Sequence, residues 1–487
     1  MTEEVLQNYE LVVGLEIHAQ LSTKSKIFSS DSASFGADPN SHTSIISLGL
    51  PGTLPRINEK VVEYAIKMGL ATNCTINTVN RFDRKNYFYA DLPKGYQITQ
   101  DELPICQNGS VTLALKGHPE RKIRINRIHM EEDAGKSLHD KDDQCSLIDL
   151  NRAGVPLIEI VSEPDVRSPE EAAAYFSEIR KLVRYLDICD GNMEEGSLRC
   201  DANISIRKKG DSSLGCRCEV KNLNSIRNLQ RAVNYEFKRQ VQVVERGEKV
   251  EQNTLNFDAA TGETSVLRSK EMAYDYRYFP EPDLQPLELS EVVIESLRKE
   301  LPELPEQRIE RYIARMGLPE YDASLITADR SFADYFEEVV KHTSHYKAAA
   351  NWMIGAVQSH LNDRAIDISS FEIAPPVLAD LISLVESGKI NNSAATQQVF
   401  PALLRSPKKP VMELVEELNL LIDTREDELT AFIDAAINKF PDKVKEYHKG
   451  KKGVLGLFMG EIMKLSKGKI DPRTVNQMVI QKLESLK

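Results

Sequence analysis

Residues 9–21 read YELVVGLEIHAQL, and apart from Val12 they alternate cleanly. Tyr9, Leu11, Val13, Leu15, Ile17, Ala19 and Leu21 share one face, while Glu10, Gly14, Glu16, His18 and Gln20 share the other. In a strand, side chains two residues apart point the same way, about 6.5–7 Å from each other. Glu16 and His18 can therefore both reach one ion. The pattern returns in SLRCDANISIR, where Leu198, Cys200, Ala202, Ile204 and Ile206 alternate with Arg199, Asp201, Asn203, Ser205 and Arg207. It returns in PLIEIVSEP, where Glu159 opposes Ile158 and Ile160. In IRINRIHMEED the apolar phase slips between Ile125 and Ile128, as a bulge would cause. A sheet with one apolar face and one face of carboxylates, His and Arg is a candidate site for a hard cation and phosphates.

Around these strands, residues 1 to about 290 read as mixed and mostly β, with turn clusters such as DPNSH and LPGTLP. Two helices interrupt them. One begins at RSPEEAAAYFSEIRKLVRYL, with Ser168 as N-cap, Pro169 at the first helical position and Glu171 completing a capping box. The other, SIRNLQRAVNYEFKRQVQVVERGE, should end near Gly247. Without regular βαβ alternation, the expected class is α+β: a mainly antiparallel N-terminal domain with helices, then all-helical parts. Prolines 280, 282 and 286 mark a break near 290, and LLRSPKKP marks another near 405. The expected domains are thus 1–290, 291–405 and a small helical tail, 406–487.

The chain has 487 residues and a net charge of −12, so any contact with nucleic acid must come from a local patch rather than a generally basic surface. The seven cysteines include no C-x-x-C pair, which argues against a zinc framework and suits a reducing compartment. Cys216 and Cys218, in phase with Val220, are expected to be small buried residues. The N-terminus lacks the features of a signal or transit peptide, and no apolar run is long enough to span a membrane.

Several motifs need weighing. AGKS at 134–137 matches the end of a Walker A loop, but Met130 stands where its first glycine belongs, so the phosphate cradle is incomplete. Glu16, Glu131, Glu132, Asp133, Glu159, Glu194, Glu195 and Asp201 lie in or beside strand-like runs. One such acid is usually just a solvated face. Four separate segments that offer acids on their polar faces point instead to a Mg²⁺-type site. His18 is unusual for Mg²⁺, which prefers oxygen, and could instead support a ligand or the structure. The run 81–100, RFDRKNYFYADLPKGYQITQ, interleaves Arg81, Arg84, Lys85 and Lys94 with Tyr87, Phe88, Tyr89 and Tyr96, as a phosphate and base contact or plain aromatic packing would. From Asp442 to Lys469, eight lysines face three acids, a local net charge of +5. HKGKKG reads as a loop entering a helix, placed to meet backbone phosphates, though a solvated helix face is equally consistent. No Ser/His/Asp or Cys/His nucleophile set can be argued.

At this point whole motifs match a known family. YELVVGLEIHAQL, FDRKNYFYADLPKGYQITQ, HMEEDAGKS, DLNRAGVPLIEIVSEPD, MEEGSLRCDANIS, EVKNLNSIRNLQRA and YDYRYFPEPDL closely resemble the GatB family, the B subunits of bacterial aspartyl/glutamyl-tRNA amidotransferases. The tail GVLGLFMGEIMKLSKGKIDPRTVNQMV resembles the small helical domain that ends those proteins. The resemblance implies a C–N ligase with glutamine as amido donor, working as a heterotrimer. Its glutaminase, the A component, would release ammonia. The small C component would tie the glutaminase to the B component. The latter would use ATP to phosphorylate the side chain of Glu or Asp on a mischarged tRNA, and ammonia would then displace the phosphate. The resemblance implies Mg²⁺ ligands at Glu16, His18, Glu132, Glu159 and Asp201. Lys85 and Arg199 would contact phosphates, Glu131 would have a supporting role, and Lys449, Lys451, Lys452 and Lys467 would meet tRNA. A bacterial cytoplasm is the implied location. Two other readings stay open: a non-enzymatic tRNA-binding scaffold, and a free-standing ATP-dependent amide ligase acting on a small acid.

Overall fold

A computed structural model describes residues 3–115, 117, 119–138, 144–269, 276–422, 426–466 and 472–486. The chain divides into two compact units, residues 1–304 and 305–487.

The first unit is built on the strand that opens the sequence. We label the elements used below: β1 (Tyr9–Gln20), α1 (Glu59–Ala71), β2 (Thr75–Ile76), β3 (Asp83–Asn86), β4 (Tyr96–Thr99), β5 (Cys106–Leu113), β6 (Arg121–Glu132), β7 (Pro156–Ser162), α2 (Pro169–Tyr185), β8 (Leu198–Lys208), β9 (Cys218–Lys221), α3 (Ile226–Glu245), β10 (Asn253–Phe257), β11 (Thr264–Ser269), β12 (Arg277–Pro280) and α4 (Glu291–Glu300). Nine of the strands form one sheet in the order β11-β10-β9-β8-β1-β7-β6-β5-β2. Every pairing in it is antiparallel except β9 with β10. A second sheet, β12-β3-β4, supplies the aromatic and basic run. The α+β class expected from the sequence is what forms.

One face of the large sheet carries the core. Leu11, Val13, Leu15, Ile17 and Ala19 of β1 are buried with Ile158 and Ile160 of β7 and with Leu198, Cys200, Ala202 and Ile204 of β8. Ala65 and Met68 of α1, Phe176 and Ile179 of α2, and Leu229 and Val233 of α3 belong to the same core. Ile294 and Leu297 of α4 join it, so this unit runs beyond the proline-rich break to Leu304.

Local signals explain the helix ends. Ser168 Oγ accepts from Glu171 N–H, as the capping box predicts. The Glu171 carboxylate reaches one residue further back than the box requires and accepts from Arg167 N–H at 2.7 Å. Ser225 caps α3 through Asn228 N–H, and Gly247, with φ +79°, follows its end in the left-handed conformation that glycine tolerates best. The expected phase slip is a bulge: Ser162 pairs with Ile125 and Val161 with Arg127, leaving Asn126 extra. One expectation is corrected. Cys218 and Val220 are buried, but Cys216 is exposed, because β9 begins only at Cys218 and the alternation does not reach Cys216.

The second unit is helical throughout its described residues. One apolar cluster runs from Tyr312 to Val415, and a smaller one from Leu429 to Leu483. Two of its helices carry single π-turns, Met353–Val357 and Ala395–Val399. HKGKKG forms a helix end and a short 3₁₀ turn, Lys452–Val454, that leads into the helix Leu455–Leu465.

Ile17, fully buried at the centre of the sheet, tests the core. Ile17→Ala should lower the stability of the first unit by about 2–5 kcal/mol. The check is a denaturant midpoint followed by a probe in that unit. An unchanged midpoint would mean that this face of β1 does not carry the core.

Candidate functional site

The register that buries one face of the sheet assembles a site on the other. Arg199 of β8, His18 of β1, Glu159 of β7 and His129 of β6 pair directly across four neighbouring strands. In the next row along β1, Asp201 pairs with Glu16. Glu131 lies two residues beyond His129 and shares its face. With Lys85 of β3, Arg127, Arg217 and Lys221, these side chains line a cleft of about 740 Å³. Six acids and five Lys or Arg residues line it, so it offers sites for a cation and for an anion at once.

At the centre, His18, Glu131 and Glu159 bring one ligand atom each within 4.8 Å of one another. His18 Nε2 lies 3.4 Å from Glu159 and 3.7 Å from Glu131. His129 Nε2 approaches the same two carboxylates from its own side, at 3.3 and 3.7 Å. Burial alone would lower the His18 pKa, but Glu159 and Glu131 raise it to about 9. Burial opposes ionisation of Glu159 too, yet the two imidazoles hold its carboxyl well below the usual range. Two carboxylates and an imidazole form a sound donor set for a divalent cation. The two carboxylates suit a hard cation such as Mg²⁺, which is held by one or two carboxylates and keeps several waters, and the imidazole is the atypical member of the set.

Other expected residues surround this triad. Glu16 accepts from Asn203 Nδ2 at 2.8 Å, and burial followed by the nearby Glu159 raises its pKa. Asp201 is held by Lys221 Nζ at 2.6 Å. Both line the cleft but stand outside the triad. Lys85 Nζ sits 4.8 Å from the centroid of the Tyr276 ring, with burial opposing its charge and Glu131 favouring it. Arg199 donates to Asp133 at 2.8 Å, and its buried Nε has no hydrogen-bond partner among the described residues. That leaves a donor for an incoming anion.

Glu132 is placed elsewhere. After the bulge it shares the core-facing side with Ile128 and Met130, at the strand end. It is buried and chelated by Lys94 Nζ at 2.5 and 2.6 Å, and it accepts Ile98 N–H at 2.8 Å. It lines a separate pocket of about 220 Å³ with Lys26 and Phe28. The position expected of Glu132 beside His18 is therefore held by Glu131, because the extra residue at 126 shifts the phase by one. His129 was not anticipated as a site residue. Its signal was available: counted back two from Glu131, it must share that face.

In the tail, Lys449, Lys451 and Lys452 are exposed. Lys451 lies 3.5 Å from Glu446, while Lys449 and Lys452 make no ion pair among the described residues. Lys467 lies outside the described residues, as does the segment 270–275 of the second aromatic run. No described helix is long and apolar enough to cross a membrane.

A sheet with this polar face and a helical second unit define a class, and comparison with known proteins gives the family. Residues 11–295 match the GatB/GatE catalytic domain, and residues 334–483 match the GatB domain. The B subunit of the aspartyl/glutamyl-tRNA(Asn/Gln) amidotransferase of Thermodesulfovibrio yellowstonii is 48% identical over 476 residues, 98% of this chain and 99% of the relative. The proteins of the same name from Syntrophotalea carbinolica and Wolbachia pipientis are 49% and 48% identical, over 98% and 100% of this chain and 98% and 100% of their own lengths. The chain belongs to the GatB family.

The Lys94–Glu132 pair gives a stability test. Side chains here are only 13% and 5% exposed, so Lys94→Met should strand a buried carboxylate and cost about 3–5 kcal/mol. Adding Glu132→Gln should recover part of that loss. If the single variant melts like the parent, Glu132 is not held by this pair.

Proposed function

We propose that this chain is the amidating component of a glutamine-dependent tRNA amidotransferase, a ligase that converts Glu-tRNA(Gln) or Asp-tRNA(Asn) to Gln-tRNA(Gln) or Asn-tRNA(Asn). The names of its full-length relatives support the reading. The observation that carries it is the mixed-charge cleft, with the His18–Glu131–Glu159 triad at its centre and Lys85, Arg127 and Arg199 around it.

The chemistry explains why such a cleft is needed. A carboxylate is a poor electrophile because its leaving group would be oxide. Transfer of the γ-phosphoryl of ATP to the Glu or Asp side chain gives an acyl phosphate and ADP. Ammonia then attacks the carbonyl carbon, phosphate leaves, and the nitrogen loses a proton. Catalysis of phosphoryl transfer is largely positioning and charge stabilisation. Lys85 and Arg127 serve as cations toward the transferring phosphoryl, and the unpartnered Arg199 Nε as a further donor. Mg²⁺ enters with ATP as part of the substrate. The triad, Glu131 replacing Glu132 in it, holds a resident divalent ion, which offsets negative charge in the cleft when bound. Asp201 and Glu16 act beside it, oriented by Lys221 and Asn203.

Ammonia has to come from elsewhere, since the sequence offers no nucleophile set for releasing it. The expected partners are the glutaminase and the small third protein of a heterotrimer, in a bacterial cytoplasm. With the first boundary moved from 290 to Leu304, the proposed domains are a site domain, 1–304, a helical domain, 305–405, and a tail, 406–487, that meets tRNA through Lys449, Lys451, Lys452 and Lys467. Separate apolar clusters at 312–415 and 429–483 support the last division.

Two experiments test this reading. With its two partner proteins, ATP, Mg²⁺ and glutamine or ammonium, the complex should amidate Glu-tRNA(Gln) or Asp-tRNA(Asn). Glu131→Gln and Glu159→Gln should each lose at least about a hundredfold in kcat, the scale of losing one preorganised electrostatic contact, while tRNA binding holds. Unchanged turnover in both would refute the assignment of the triad. In the tail, Lys451→Ala with Lys452→Ala should weaken tRNA binding for all sequences alike and reduce the salt slope by about 2. An unaltered slope would remove these lysines from the tRNA surface.

A further inference from the structure

Lys85 differs from the other cations of the cleft in how it is held. We propose that Tyr276 is a positioning residue for the phosphoryl transfer: its ring, backed by Tyr87, holds the Lys85 ammonium in the cleft by a cation–π contact where an ion pair would otherwise stand. This rests on the reading of Lys85 as a cation that meets the transferring phosphoryl.

The second sheet builds the arrangement. Lys85 of β3 pairs with Tyr278 of β12, and Tyr87, two residues on, shares the Lys85 face. Tyr276, one residue ahead of β12, packs on Tyr87 with the ring centroids 5.3 Å apart. Lys85 Nζ stands 4.8 Å from the centroid of the Tyr276 ring and 5.7 Å from that of Tyr87. Both lie inside the range of about 6 Å over which a ring face attracts a cation. Tyr87 Oη donates to Gln97 Oε1 at 3.2 Å, and Gln97 Nε2 donates to the Glu132 carbonyl at 2.7 Å, which ties the rings to β6.

The neighbouring cations show the contrast. Arg199 pairs with Asp133 at 2.8 Å, Lys221 with Asp201 at 2.6 Å and Arg127 with Asp101 at 3.6 Å, and Arg217 is exposed. Lys85 is half-buried and makes no ion pair among the described residues. On the opposite face of the same strand, Arg84 also has an aromatic partner, Tyr96 at 4.2 Å, but Glu281 and Asp283 bind it as well. A carboxylate holds a cation and cancels the charge that a phosphoryl group has to meet. A ring quadrupole holds the cation and leaves its charge in place.

The test uses the chain in complex with its two partner proteins, with ammonium as nitrogen donor, and follows ADP formation and amidation of the mischarged tRNA. Tyr276→Leu should lower kcat about ten- to thirtyfold, the scale of a desolvated cation–π contact, with KM for tRNA and ATP within about twofold. Tyr276→Phe keeps the ring face and should retain kcat to within about twofold. Phenylalanines carrying increasing numbers of fluorines at position 276 keep the shape and weaken the quadrupole, so log kcat should fall in step with fluorination. A merely structural ring would not follow that series, which stands even if the Leu variant does not fold. On a Lys85→Met background, Tyr276→Leu should cost less than about twofold more, because the two side chains act as a unit. A flat fluorine series, a full further loss on the Lys85→Met background, or a rise in KM for tRNA at constant kcat overturns the positioning role, the last by making Tyr276 a base-stacking ring. A Lys85→Met enzyme with the parent kcat sinks the reading of Lys85 and this inference with it. Impairment by Lys85→Met alongside normal Tyr276 variants overturns the positioning role alone.

Discussion

Burial of one face of the large sheet, and only one, is the constraint on which the first unit depends. β1 lies between β7 and β8, and its residues Val13, Leu15, Ile17 and Ala19 are all but fully buried. Each large aliphatic side chain so buried contributes about 1.5–3 kcal/mol. A slip of register by one residue would exchange that set for Glu16, His18 and Gln20. The core energy therefore fixes the positions of the polar side chains as well. His18 faces Glu159 and Arg199 because Ile17 and Ile160 must face the helices.

A single extra residue refines that geometry. Asn126 breaks the two-residue period of β6, and beyond it His129 and Glu131 face the cleft while Met130 and Glu132 turn toward the core. Two adjacent glutamates thus end in opposite environments. Glu131 joins a cluster in which carboxylates and imidazoles alternate, so burying charge there is offset by neighbours of opposite sign. Glu132 is matched instead by one lysine and one backbone N–H. Leaving either carboxylate without its partner would be costly in so dry a setting.

Charge is distributed unevenly along a chain that is acidic as a whole. The cleft nearly balances acids and bases, which suits the proposal that it meets a cation and phosphates together. The tail segment concentrates lysines, and its three acids all lie beside lysines: Asp442 by Lys445, Glu446 by Lys443 and Lys451, and Glu461 by Lys439. The exposed lysines that remain are the ones that can meet an outside anion.

The sequence by itself determined the periodicities. Alternation in 9–21 and 198–207 set strands and their buried faces, the capping serine Ser168 set the start of α2, Gly247 marked the end of α3, and helical spacing set the second half of the chain. These signals are local, arising from backbone period and hydrogen bonds a few residues apart. Whole motifs also carried the family. Only the tertiary structure decided which strands are neighbours, and so which polar residues meet. The phase slip in β6 was visible, but its consequence was not, because a bulge re-aims everything after it and only pairing with β7 fixes its place. Hence Glu132 was expected beside His18, and Glu131 with His129 is found there. Cys216 failed for the related reason that an alternating pattern does not say where a strand begins. Lys94 and Asp133, far along the chain from the groups they neutralise, could be assigned only once the fold had brought opposite charges together.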